Sequence, residues 1–136
     1  MTADAILTEC ARRGIHLRAE GDRIKYRPRD VVDGDAELLA AMRRHKPALL
    51  AELRRDAAVA DAWERLRIAF ERAGRPDGWL TPDVRMAEHV VSELWLSARG
   101  STVGAATDDH RFHAELRRWE RIATGAIAEA AERGQP

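Results

Sequence analysis

One stretch of this chain, from Ile15 to Arg27, alternates apolar with polar residues, whereas the flanking segments repeat their apolar residues every three or four positions. The runs Ile15-His16-Leu17-Arg18-Ala19 and Arg23-Ile24-Lys25-Tyr26-Arg27 enclose Glu20-Gly21-Asp22, where Gly21 can adopt the positive φ that a tight turn needs. This pattern predicts a β-hairpin. Side chains alternate between the two faces of a strand, so Ile15, Leu17, Ile24 and Tyr26 share a buried face and His16, Arg18, Arg23, Lys25 and Arg27 share a wet one. Pro28 has no N–H for the ladder and ends the second strand.

The three-to-four spacing places helices on either side. Ile6, Leu7, Cys10 and Ala11 follow a capping Thr2 or Asp4 and precede a stop at Gly14. Asp33-Gly34-Asp35 offers caps for a helix carrying Leu38, Leu39 and Met42, and Pro47 suits the first turn of another carrying Leu49, Leu50 and Leu53. Ala57, Ala60, Trp63, Leu66, Phe70 and Ala73 continue the period, leaving open whether that helix breaks near Asp56 or runs on towards Gly74. Gly74 to Gly78 reads as a loop, and Thr81-Pro82-Asp83 starts a helix with Val84, Ala87, Val90, Val91, Leu94 and Trp95 on one stripe. Residues 99–107 read as a linker, after which Asp108 or Asp109 caps a last helix with Phe112, Leu116, Trp119, Ile122, Ala123 and Ala126 inward.

The expected fold class is therefore mostly α (α+β). An N-terminal α-β-β-α-α module with a small β-hairpin occupies residues 1–55. A helical hairpin or three-helix bundle follows over residues 56–136, with helices near 57–73, 82–98 and 109–132.

With 23 basic and 23 acidic side chains the chain as a whole lacks the field of a general polyanion binder. The balance conceals an asymmetry, because residues 1–55 carry 12 basic and 9 acidic side chains and residues 56–136 carry 11 and 14. Cys10 is the single cysteine, which excludes an internal disulfide and a Cys-rich zinc site. The opening lacks the apolar run of a signal peptide and no apolar run is long enough for a membrane span, so the expected home is the cytoplasm and no membrane partner is expected.

The first half resembles the N-terminal docking domain of the TubC type, found at the start of some nonribosomal peptide and polyketide synthetase subunits. The resemblance rests on Ile6-Leu7, Gly14-Ile15-His16-Leu17, Gly21-Asp22-Arg23-Ile24 with Tyr26 and Pro28, Leu38-Leu39 with Met42, and His45-Lys46 followed by Leu49-Leu50 and Leu53. It implies an α-β-β-α-α fold whose hairpin receives the short, acid-bearing C-terminal tail of another protein, often as a homodimer. By resemblance and position, His16, Arg18, Arg23, Lys25, Arg27 and Arg29 are the partner-binding groups. An open strand edge offers backbone donors and acceptors, and flanking cations select an acidic extended segment. Related modules also head small proteins of phages and other mobile elements, which brings in a rival reading: an accessory protein whose basic ribbon, with Arg12 and Arg13 beside it, grips nucleic-acid phosphates.

Catalytic constellations are not assembled by this sequence: no Gly-rich phosphate loop, Ser-His-Asp order or carboxylate pair emerges, so the expectation is a binding protein without enzymatic activity or cofactor. His110 and His113 have the spacing of a shared metal face but no third strong ligand, and read as surface histidines. His89 and Glu93, four apart, can form a side-chain pair on the surface. Cys10 reads as a small buried thiol. Trp63, Trp95 and Trp119 fit helical stripes and read as core, and Trp79 as a staple closing its loop onto the following helix.

Overall fold

The computed structural model describes residues 1–99 and 109–134, and residues 105–108 as backbone. The linker expected over 99–107 and the cap expected at Asp108 thus fall in part outside the described residues. The elements are α1 (Ala3–Arg12), β1 (His16–Glu20), β2 (Arg23–Arg27), α2 (Arg29–Asp33), α3 (Ala36–Arg44), α4 (Lys46–Arg72), α5 (Pro82–Ala98) and α6 (Ala105–Arg133). This mostly helical chain with one small hairpin matches the fold class expected from its periodicities.

Local chemistry accounts for most boundaries. Thr2 accepts a hydrogen bond from the Ala5 N–H, Asp35 from the Leu38 N–H and Thr81 from the Val84 N–H, so three helices start on side-chain caps. Pro47 and Pro82 lie in first turns, where their missing N–H costs nothing. β1 and β2 pair antiparallel with His16 opposite Arg27 and Glu20 opposite Arg23. Gly21 turns the hairpin at φ +60. One helical turn, α2, was not expected: five residues are too few to display a period, yet it buries Val32 completely.

Two apolar clusters result. The first gathers Ala3, Ile6 and Cys10 of α1 with Ile15, Val32, Leu38, Met42 and Leu49, and the half-buried face of the hairpin packs on it through Leu17, Ile24 and Tyr26. The second joins Ala62 and Leu66 of α4 to Val84, Ala87 and Val91 of α5 and to Phe112, Leu116, Trp119, Ala123, Ala126 and Ile127 of α6. α4 supplies both clusters without interruption at Asp56, which closes the question of a break.

α4 enters the second cluster through Leu66, Phe70 and its C-cap Ala73 as expected, but its middle turns present a different face. Ala57, Ala60 and Trp63 are exposed, and the inward stripe passes instead through Glu52, Arg55, Val59, Ala62 and Leu66. Arg55 is only 3% exposed, and its Nη1 donates to Asp109 Oδ1 of α6 at 3.1 Å, so its charge is neutralised where it is buried. Asp109 therefore lies within α6 as an ion-pair partner rather than at its cap. The helix starts earlier because Ala105 and Ala106 favour helix strongly. Beside this pair, Trp95 Nε1 of α5 donates to Asp56 Oδ1 at 3.0 Å.

The tryptophans divide accordingly. Trp119 is 2% exposed, whereas Trp63 is 44% exposed and touches Trp119 edge-on, ring centroids 4.9 Å apart. Trp79 packs back on Phe70 of α4 at 6.1 Å, closing its loop onto the preceding helix. Among the described residues no helix is long and apolar enough to cross a membrane.

Candidate functional site

The hairpin places its side chains by strand alternation and nothing else. Leu17, Ala19, Ile24 and Tyr26 are half-buried against the helices, and His16, Arg18, Glu20, Arg23, Lys25 and Arg27 are exposed on the other face. The register sets Arg18 directly opposite Lys25, cation against cation across the ladder, with His16 opposite Arg27 and Glu20 opposite Arg23. Like charges in that position repel. An anion placed between them would relieve that repulsion.

Neighbouring acids neutralise little of this face. Glu20 approaches Arg18 at 3.2 Å, both side chains remaining more than half exposed. Asp22 is engaged from outside the hairpin: Arg54 of α4 donates to the Gly21 carbonyl at 2.6 Å and reaches Asp22 Oδ1 at 3.4 Å, tying the turn to the long helix. Tyr26 donates its hydroxyl to Asp33, and that hydrogen bond raises the phenol above its ordinary range.

An open depression of about 480 Å³ is lined by five of the six expected partner-binding residues, His16, Arg18, Lys25, Arg27 and Arg29, over Leu17, Ile24 and Tyr26. Arg29 joins it from the first position of α2. The sixth, Arg23, lines a second depression of about 250 Å³ between β2 and α3, with Leu39 and Met42 as floor and Arg43 and Lys46 as further rim. Ile24 and Tyr26 border both hollows. Arg43 and Lys46 are cations that the sequence reading did not include. Arg43 follows Leu39 at helical spacing, but Lys46 opens α4 beyond the end of α3, so packing rather than one helical period brings the two to the same rim.

The remaining candidates lie elsewhere. His110 is exposed, and His113 Nε2 lies 3.7 Å from Asp109 Oδ1, which already serves Arg55. Among the described residues no three His, Cys, Asp or Glu side chains converge as metal ligands. Cys10 is 1% exposed in the first cluster, and burial pushes its thiol up, away from the reactive thiolate.

No curated protein and no solved structure matches the chain. Residues 4–55, which hold the hairpin, both depressions and the first apolar cluster except Ala3, match the family model of the TubC N-terminal docking domain.

Proposed function

We propose that this chain is a docking protein whose hairpin captures an acidic linear segment, such as an acidic C-terminal tail, of a partner protein. A docking domain takes a protein partner, and it is a binding module rather than a catalyst. The observation that carries the finer reading is the register, which sets Arg18 against Lys25 on an exposed face with Arg23 and Arg27 beside them. His16, Arg18, Arg23, Lys25, Arg27 and Arg29 select acid, and the strand edges of the hairpin offer backbone donors and acceptors to the same segment. Arg43 and Lys46 extend the cationic rim towards α3. The helical segment that follows presents this module to its partner or pairs it with a second copy.

The test is affinity capture from a nuclease-treated lysate of the native host, with the wild type and with a variant carrying Arg23→Glu, Lys25→Glu and Arg27→Glu. A captured protein lost with the variant is then reduced to its acidic segment, which is titrated against the wild type beside a copy whose acids are replaced by amides. Docking predicts binding of the acidic segment and loss with the amide copy. If the wild type captures nothing that the variant lacks, the docking reading fails. The same two proteins are then titrated with DNA and RNA, the ligands of the rival reading.

A further inference from the structure

We propose that the outward face of α5 is a docking stripe for the same face of a second copy of this chain, the two helices lying antiparallel. Pro82, Met86, His89, Glu93 and Leu96 are all exposed and follow one another at spacings of four, three, four and three, the repeat of a coiled-coil seam. The opposite face of α5 is used within the chain, where Val84, Ala87 and Val91 are buried against α6 and α4. The outer stripe is apolar where solvent alone would not select for it. Met86 is 64% exposed, Leu96 62% and the adjoining Leu80 45%, half of the large exposed hydrophobics among the described residues.

Charge decides the orientation and the occupant. A two-fold axis at the level of Val91 sets Met86 opposite Leu96 of the second copy and His89 opposite Glu93 of the second copy, each contact occurring twice. A parallel pairing in register would instead set Glu93 against Glu93, a repulsive contact. The stripe is thus complementary to itself in one direction only. His89 and Glu93 are four residues apart, yet the ion pairs among the described residues include none between them, which leaves both groups for the second copy. A matching recess is also present: an open depression of about 460 Å³, lined by Leu80, Pro82, Arg85, Met86 and His89, lies at the end of α5 where Leu96 of the second copy arrives. A single helix pair buries less than the roughly 1,200 Å² typical of stable complexes, so the association is weak and concentration dependent. None of these residues belongs to the hairpin; the inference deepens the second-copy role proposed for the helical segment and does not depend on the hairpin binding acid.

Sedimentation equilibrium of the full chain over a concentration series tests it, using wild type, His89→Glu, Glu93→Lys and an equimolar mixture of the two variants. The expected result is a wild-type monomer–dimer equilibrium whose Kd rises at least about tenfold in His89→Glu, because four carboxylates then face one another in pairs. Glu93→Lys weakens association as well, and the mixture recovers it by setting the carboxylate introduced in one variant against the ammonium introduced in the other. Geometry is read independently by disulfide formation. Met86→Cys mixed with Leu96→Cys gives a covalent heterodimer, and neither gives one alone, because like positions lie ~15 Å apart along the paired helices. Circular dichroism of each variant verifies its fold. A chain that stays monomeric at all concentrations, a dimer indifferent to His89→Glu, or cross-linking without this pairing preference overturns the proposal.

Discussion

Arg55 is where charge and burial meet. Its side chain is 4% exposed, Asp109 supplies one partner, and its Nε has none among the described residues. A buried arginine held by one carboxylate contributes little by itself, but deleting it strands the acid and leaves a cavity. Arg55→Ala should therefore lower stability by about 2–3 kcal/mol, less than for a fully buried pair because Asp109 keeps 28% exposure. Arg55→Met, which retains the apolar stem, should lose less, and denaturant titration of both distinguishes lost packing from lost charge. Asp35 acts in the opposite environment. The Leu38 N–H, and after it Arg13 at 2.8 Å, holds its carboxyl below the usual range. A carboxylate lowered by folding stabilises the folded state fully above its unfolded pKa and ceases to do so as pH falls through its folded one. Asp35→Asn should accordingly narrow the gap to wild type as the solution is acidified, which melting temperatures between neutral and acid pH will show.

At the scale of elements the long helix α4 is the unusual feature. It spans 27 residues, supplies Leu49 to the first cluster and Ala62 and Leu66 to the second, and passes the Asp56 region unbroken. A proline at the exposed Ala60 would remove one helical hydrogen bond and clash with the preceding turn, so Ala60→Pro should cost about 3 kcal/mol and reduce helical ellipticity. The hairpin answers to a different constraint. A Cβ built on Gly21 meets nothing within 4 Å, but the residue sits at φ +60. Gly21→Ala should therefore cost about 1 kcal/mol through backbone strain alone, while Gly21→Asn, which tolerates that region, should cost less.

For the molecule as a whole, the proposed docking rests on spread-out charge rather than on a deep pocket. The cations of the hairpin are exposed, and single exposed ion pairs contribute on the order of 0.2–1 kcal/mol each. Affinity for an acidic segment should then be the sum of several weak contacts. Raising salt from low to physiological concentration should weaken binding progressively, and one charge reversal should weaken it less than three do together. Isothermal titration at several ionic strengths measures both effects. The joint formed by Arg55–Asp109 and Trp95–Asp56 gives this surface a stiff mounting, because it ties α4 to α5 and α6 just beyond the hairpin module.

The hairpin and its two faces, the capped starts of α1, α3 and α5 and most inward residues of α1, α5 and α6 were legible in sequence, because alternation, three-to-four spacing and capping chemistry are local properties of the chain. The cationic face was legible for the same reason: once Ile24 and Tyr26 point inward, Arg23, Lys25 and Arg27 must point out. The inward face of the middle turns of α4 was not. Its stripe begins with Glu52 and Arg55, residues that a rule of apolar burial assigns to solvent, and Arg55 is buried against Asp109, 54 positions further along the chain. Ala57, Ala60 and Trp63 consequently faced out when their spacing alone turned them in. The meeting of β2 with α3, which adds Arg43 and Lys46 to the rim, was likewise decided by packing. Local patterns determine which residues share a face, but a helix with more than one serviceable face is oriented only by the partners that tertiary structure brings to it.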